Sequence, residues 1–180
     1  MTLRKIARLG HPILLERARA VEDVEQAEVQ RLVDDMLETM ADAQGIGLAA
    51  PQVYASHRIV LASELENRAE RAGARVHVLV NPELTVLDEG LDLAFEGCLS
   101  IPQLRGRVPR YRHVAYRAVD RFGRRVEGEA RGLFARILQH EVDHLDGILY
   151  PMRMTDLRHL AFAEEIHHLT AWMARQGEQA

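Results

Sequence analysis

The chain has 180 residues, 47% of them apolar and 28% charged, a composition that excludes disordered and fibrous classes. Its 23 Lys and Arg against 27 Asp and Glu leave a formal −4, without the basic excess of a dedicated nucleic-acid binder. One cysteine permits no intramolecular disulfide, and no apolar run nears the roughly 18 residues of a membrane span. The expectation is a single soluble, cytoplasmic domain over residues 1–180, able to bury about 70% of its unfolded surface without staples.

The first residues, MTLRKIARLGHPILLER, interrupt their apolar positions with Arg4, Lys5 and Arg8, so they lack a signal-peptide core. Residues 24–43 carry Val29, Leu32, Val33, Met36, Leu37 and Met40, a helical stripe that Gly45 would stop. GIGLAAPQ (45–52) is glycine-rich and closed by a proline, which predicts a loop. Residues 58–63 and 75–81 read as strands, with a polar excursion at 64–74 between them; 84–88 and 91–95 are weaker strand candidates. Residues 112–120 and 124–130 flank Arg121-Phe122-Gly123, a hairpin pattern. Residues 133–145 read as a helix ending at Gly147, and 156–176 as a final amphipathic helix with Phe162, Ile166, Leu169 and Met173 on one face. Strands and helices do not alternate regularly, so the expected class is α+β: antiparallel β-sheets packed around a central buried helix.

That central helix carries His140-Glu141-Val142-Asp143-His144. Residues four apart lie one turn apart on one face, so both imidazoles can point at one metal, while Glu141 sits one step aside as a general base that need not ligate it. Chance gives this spacing about 0.04 times in a chain of this composition. The helix is apolar on two faces, and two buried histidines without partners would cost free energy, which favours a metal site over an accidental pair. A catalytic site of the zinc type needs a third protein ligand. The alternatives are Cys98, the lone cysteine in Glu96-Gly97-Cys98-Leu99-Ser100, and Glu164 on the C-terminal helix; Tyr150 occupies the slot of a third histidine in another spacing pattern. Glu164 as ligand would make the protein a metal-dependent peptidase. A non-catalytic metal domain would need a fourth His or Cys at ligand spacing, and none is present.

With these residues in view, the chain resembles the peptide deformylases. Gly45-Ile46-Gly47-Leu48-Ala49-Ala50-Pro51-Gln52, Glu96-Gly97-Cys98-Leu99-Ser100 and Gln139-His140-Glu141-Val142-Asp143-His144-Leu145 match three motifs of that family in order. The likeness runs from Gly10-His11-Pro12 to about Met154. It implies hydrolysis of the N-formyl group of nascent N-formylmethionyl peptides. It also implies that Cys98, His140 and His144 bind one divalent metal, iron(II) in the cell with zinc, nickel or cobalt as substitutes, and that Glu141 is the acid/base. Gln52 and the Leu99 backbone N–H would form an oxyanion site, Ile46 and Gly47 would line the substrate groove, and Arg105 would position the peptide. Gln52 has the plainer reading of capping a turn. Gln139 or Asp143 is expected to orient Gln52 or a ligand, Glu96 to be structural, and Arg107 to be solvated. Family members dock on the ribosome through a basic C-terminal helix; here 156–180 holds Arg158 and Arg175 against Asp156, Glu164, Glu165 and Glu178, so docking is expected to be weak.

Overall fold

The computed structural model describes residues 2–67, 69 and 73–177, so part of the 64–74 excursion and Glu178 lie outside the described residues. The described residues fold into three α-helices and an antiparallel sheet in the order α1 (Ala27–Asp42), β1 (Gly47–Ala49), β2 (Ile59–Glu64), β3 (Arg75–Cys98), β4 (Ile101–Val119), β5 (Arg125–Arg131), α2 (Gly132–Leu145), β6 (Leu160–Phe162) and α3 (Ile166–Arg175). One sheet runs β1-β2-β3-β4-β5, with β6 added to the Leu104–Gly106 stretch of β4.

β2 shows why its residues, RIVLAS in sequence, lack polar alternation. Ile59 and Leu61 pack with Leu32, Val33 and Met36 of α1, whereas Val60 and Ala62 join the cluster around Phe134, Ala135 and Leu138 of α2. A strand covered on both faces has no polar side, and each large aliphatic side chain so buried stabilises the fold by about 1.5–3 kcal/mol. α2 thereby lies against the sheet with ten of its fourteen residues buried. It stops where Gly147 takes φ +74°; a Cβ there would also strike the Leu15 backbone.

Several boundaries differ from the sequence reading. The 75–81, 84–88 and 91–95 segments form one 24-residue strand, β3, in which register shifts between Val80 and Glu83, Val86 and Asp88, and Asp88 and Leu91 absorb Asn81, Pro82 and the Asp-Glu-Gly run. β4 begins at Ile101, eleven residues before the expected 112, because β3 supplies a partner over its whole length. The 45–52 segment is no simple loop: Gly47–Ala49 pairs with β2, and Ala50–Val53 forms a 3-10 turn. α1 starts at Ala27, not 24, and ends at Asp42; the left-handed residue that follows it is Gln44, at φ 54°, not Gly45. The expected 156–176 helix is helical only over Ile166–Arg175 (α3), because Leu160–Phe162 instead hydrogen-bonds to β4 as β6 and leaves Phe162 exposed. The hairpin is as expected, with Val119 opposite Arg125 and Gly123 at φ +77°.

Candidate active site and metal centre

Three separate stretches meet at the floor of a cleft of about 550 Å³: the Gly45–Gln52 segment, the β3–β4 turn and α2. The last residue of β3 is Cys98, and Cys98 pairs with Ile101, so Leu99 and Ser100 form a tight turn. The turn brings the thiol down onto the His140/His144 face of α2. Cys98 Sγ lies 3.2 Å from His144 Nε2, and the ligand atoms of Cys98, His140 and His144 all fall within 4.8 Å of one another. All three side chains are buried.

His140 is held from behind. Its Nδ1 meets Glu96 Oε2 at 2.8 Å, which leaves Nε2 as the nitrogen free to face the cluster. Glu96 also accepts from Arg110 Nε at 2.8 Å and Nη2 at 3.0 Å, and from Arg136 Nη1 at 2.8 Å. Arg110 reaches on to Asp143 through Nη1, and Arg153 Nη2 donates to the other oxygen of Asp143 at 2.7 Å. The carboxylate orienting a motif histidine is therefore Glu96. Asp143 lies two links away, and Gln139 instead pairs with the Tyr111 backbone. Tyr150 stacks on the His140 ring at 6.2 Å between centroids.

Gln52 caps its turn, as the plainer reading expects, and its amide faces the cluster. Its Oε1 accepts from the Ala49 N–H at 2.8 Å, capping the 3-10 turn, and this fixes the amide so that Nε2 donates to Cys98 Sγ at 3.4 Å and Ser100 Oγ at 3.1 Å. The Ser100 N–H also points at Cys98 Sγ, at 3.4 Å.

A soft thiolate and two imidazoles suit a borderline or soft divalent ion, and the donors converge with no lysine or arginine among them. The residues fit such an ion. Charge states agree. Burial pushes the Cys98 thiol up, but His144 and His140 outweigh it and hold the thiol well below its ordinary range. Burial likewise works against ionised Glu96, yet His140 and Arg110 hold it below the usual carboxylate range.

The comparisons with known proteins agree with this geometry. The polypeptide deformylase family model matches residues 3–159. The chain belongs to the peptide deformylase family. It is 45% identical over 164 residues to peptide deformylase 1 of Bordetella pertussis, covering 90% of this chain and 93% of that one. Peptide deformylase 1 of Nitrosomonas europaea is 40% identical over 166 residues, covering 91% and 94%. Among solved structures, the class I type b peptide deformylase of Acinetobacter baumannii bound to Met-Ala-Ser superposes with a TM-score of 0.78 at 37% identity, over 85% of this chain and 99% of that one. The Thermus thermophilus peptide deformylase gives 0.77 at 38% identity, over 97% and 95%.

The remaining residues of this deformylase singled out by sequence fall around the same cleft. Ile46, Gly47, Leu99 and Arg105 line it together with Arg8, Gln44 and Gln103. Glu141 is buried beside Gly47, where any Cβ would collide with its carboxylate, and its Oε2 has no hydrogen-bond partner among the described residues. Burial raises its pKa to about 7, opposed by His140 and His144. Glu164 sits exposed in the turn Ala163–Glu165 and is not among the clustered ligands, so the peptidase alternative loses its third ligand. Arg107 is buried, contrary to the solvated reading. Sequence reasoning missed Arg8, Arg110, Arg136 and Arg153, which sit at no fixed spacing from the motifs they support.

Proposed function

We propose that this deformylase works as one catalytic domain over residues 1–180, with Cys98, His140 and His144 as its metal ligands and Glu141 as its acid/base. The reaction is hydrolytic removal of the formyl group from the N-terminus of newly made proteins, releasing formate. The observation that carries the assignment of roles is the meeting, in one buried cluster, of the Cys98 thiol, both imidazoles and the Gln52 amide, with an unpartnered Glu141 oxygen alongside.

A divalent ion in this donor set supplies Lewis acidity that activates water for attack at neutral pH. Glu141 takes the proton from the attacking water and passes it to the departing amine, a task suited to a buried carboxyl that titrates near 7. As water adds to the formyl carbon, negative charge grows on its oxygen. The Leu99 backbone N–H and the Gln52 Nε2–H that faces Cys98 in the resting site would donate to that oxygen, such a donor being typically worth about 3–4 kcal/mol in the transition state. Collapse breaks the C–N bond and leaves formate and a free α-amine. Gly47 is the residue that lets substrate backbone and Glu141 approach each other, since any larger side chain fills that space. Ile46 and Arg105 form walls of the cleft that take the methionine and the peptide beyond it. The Acinetobacter structure bound to Met-Ala-Ser supports a peptide lying in the corresponding groove.

The resemblance favours iron(II) as the cellular metal, with zinc, nickel and cobalt as substitutes suited to the same donors. Among the described residues no helix is long and apolar enough to cross a membrane, in keeping with a cytoplasmic enzyme acting on nascent chains. The C-terminal segment from Asp156 contributes acids against two arginines, so ribosome docking through it is weak and direct nucleic-acid binding is not expected. The test is to load the protein with iron(II) under anaerobic conditions, or with nickel, and assay formate from formyl-Met-Ala-Ser beside its unformylated form. Formate release that requires metal supports the reading, and cleavage of an internal peptide bond without formate would overturn it.

A further inference from the structure

The N-terminal segment makes an uncommonly specific set of hydrogen bonds to the site. The Ala7 N–H donates to the Gln52 carbonyl at 2.8 Å, and the Leu9 N–H donates to the Ser100 carbonyl at 2.9 Å. Between them, the Arg8 guanidinium donates from Nη1 to the Leu99 carbonyl at 2.8 Å. Three consecutive residues thus grip, in turn, the residue of the side-chain oxyanion donor, that of the backbone donor, and Ser100, which itself receives the Gln52 amide at 3.1 Å.

We propose that residues 7–9 are a clasp that positions the two oxyanion donors relative to each other, with Arg8 as the positioning residue whose side chain sets the Leu99 turn. The inference rests on the reading of Gln52 and Leu99 as oxyanion donors. In an extended chain, N–H groups two residues apart point to the same side, so Ala7 and Leu9 can stitch Gln52 to Ser100 across the seam between the Gly45–Gln52 segment and the β3–β4 turn. That seam is closed elsewhere by side chains alone, Gln52 to Cys98 and Ser100. The Leu99 N–H lies in the Cys98–Leu99 peptide plane, and how far that plane can turn about the Leu99 Cα depends on whether the next plane, Leu99–Ser100, is held as well. Cys98 fixes the preceding plane through its ligand position, and the Arg8 bond to the Leu99 carbonyl fixes the following one. The Leu99 side chain is held as well, lying close to where Gly45 would carry a Cβ.

Arg8 is exposed, so this bond adds little to the core. Holding a long, solvated side chain on one carbonyl costs rotamer entropy, which a charge-assisted bond offsets. Arg8 also lines the cleft, and so stands where a loosened turn would be felt by the substrate. Rate depends steeply on such placement, since a shift of about 1 Å in a reacting group can cost about a hundredfold.

The experiment compares Arg8→Met, which keeps the stem and removes the donors, with Arg8→Lys, which keeps one charged donor, on nickel-loaded protein with formyl-Met-Ala-Ser. Arg8→Met should lower kcat about tenfold while KM stays within about twofold, with metal content and Tm unchanged, and Arg8→Lys should recover most of the loss. An unchanged kcat in Arg8→Met, or a loss confined to KM, would overturn the clasp, as would a loss tracking metal content or Tm. Gln52→Ala, measured beside them, separates the two levels. If Gln52→Ala is slow and Arg8→Met is normal, only the clasp is wrong; if Gln52→Ala keeps full activity, the oxyanion reading fails and the clasp with it.

Discussion

Glu96→Gln is the most informative single change outside the metal ligands. Glu96 is buried, and so are Arg110 and Arg136, whose side chains are 5% and 8% exposed. Its two oxygens accept from Arg110 twice, from Arg136 and from His140 Nδ1. The network is balanced three against three, with buried Glu96 and Asp143 and the more exposed Asp92 facing buried Arg110 and Arg136 and the more exposed Arg153. Glutamine keeps the shape but removes one negative charge, leaving two guanidiniums near a single buried carboxylate, and turns one acceptor into an NH₂ that faces donors. Breaking a buried charge pair by altering one partner typically costs about 3–5 kcal/mol. For a domain of this size each kcal/mol moves Tm by about 2–4 °C, so Tm should fall by roughly 6–20 °C.

A second consequence concerns His140. Without a carboxylate on Nδ1, the ring loses both its fixed orientation and its fixed tautomer, and metal affinity should fall about 10–100-fold. Thermal melting by circular dichroism and metal content after dialysis against a graded chelator measure the two effects separately. A Glu96→Gln protein that melts within about 2 °C of the parent and holds its metal equally tightly would refute the argument, because both effects follow from the same four hydrogen bonds.

Glu141→Gln should keep the metal and lower turnover at least a hundredfold, which metal analysis beside the formate assay checks. Gly47→Ala places a methyl group against the Glu141 carboxylate, so kcat should fall at least about tenfold while the urea midpoint moves little; full activity would mean the carboxylate has room the structure does not show. Cys98→Ala should abolish tight metal binding while Glu164→Ala leaves metal stoichiometry and deformylation unchanged, and the reverse result would restore the peptidase reading. For His57, burial, together with Arg19, pushes the pKa below 6.5, so the unfolded chain binds the proton first as pH falls. Its contribution to stability is therefore complete above about pH 6.5 and is lost on acidification through the lower folded pKa; urea melts of His57→Gln between pH 7 and 5 should show a shallower decline than the parent.

What was legible in the sequence was local. The i, i+4 spacing of His140 and His144 places both on one face of any helix, and α2 forms where the apolar pattern puts it. The stripe of α1 and the hairpin at Gly123 were legible for the same reason: each is decided by a few neighbouring residues. Cys98 against Glu164 could not be settled that way, because the choice depends on a β3–β4 turn that comes down beside α2. The length of β3 was hidden because Pro82 and the Asp88–Gly90 run read as breaks, whereas in the sheet they become bulges in a strand that β4 pairs on one edge while β2 covers the other only over Arg75–Val80. The C-terminal segment shows the opposite error: a helical stripe through Phe162 was overridden by an available sheet edge at Leu104–Gly106. Glu96 read as structural because its meaning lies in Arg110, Arg136 and His140, which are 14, 40 and 44 residues away.

In the proposed mechanism, with His140 as a metal ligand and Glu141 as the acid/base, the two glutamates divide the labour. Both are deeply buried, and burial alone would push both toward the neutral acid. Glu96 receives two arginines and an imidazole N–H, so it stays ionised and serves as a fixed anchor for His140. Glu141 receives no such donor on Oε2, and only the nearby imidazoles oppose its burial, which leaves it near 7. A carboxyl that stays charged makes a reliable orienting group and a poor proton carrier, whereas one poised near neutrality can accept and release a proton within a single turnover. The two therefore cannot exchange roles by a change at either glutamate alone. Making Glu96 a proton carrier would require removing Arg110 and Arg136, and that would loosen the His140 ligand on which the chemistry depends.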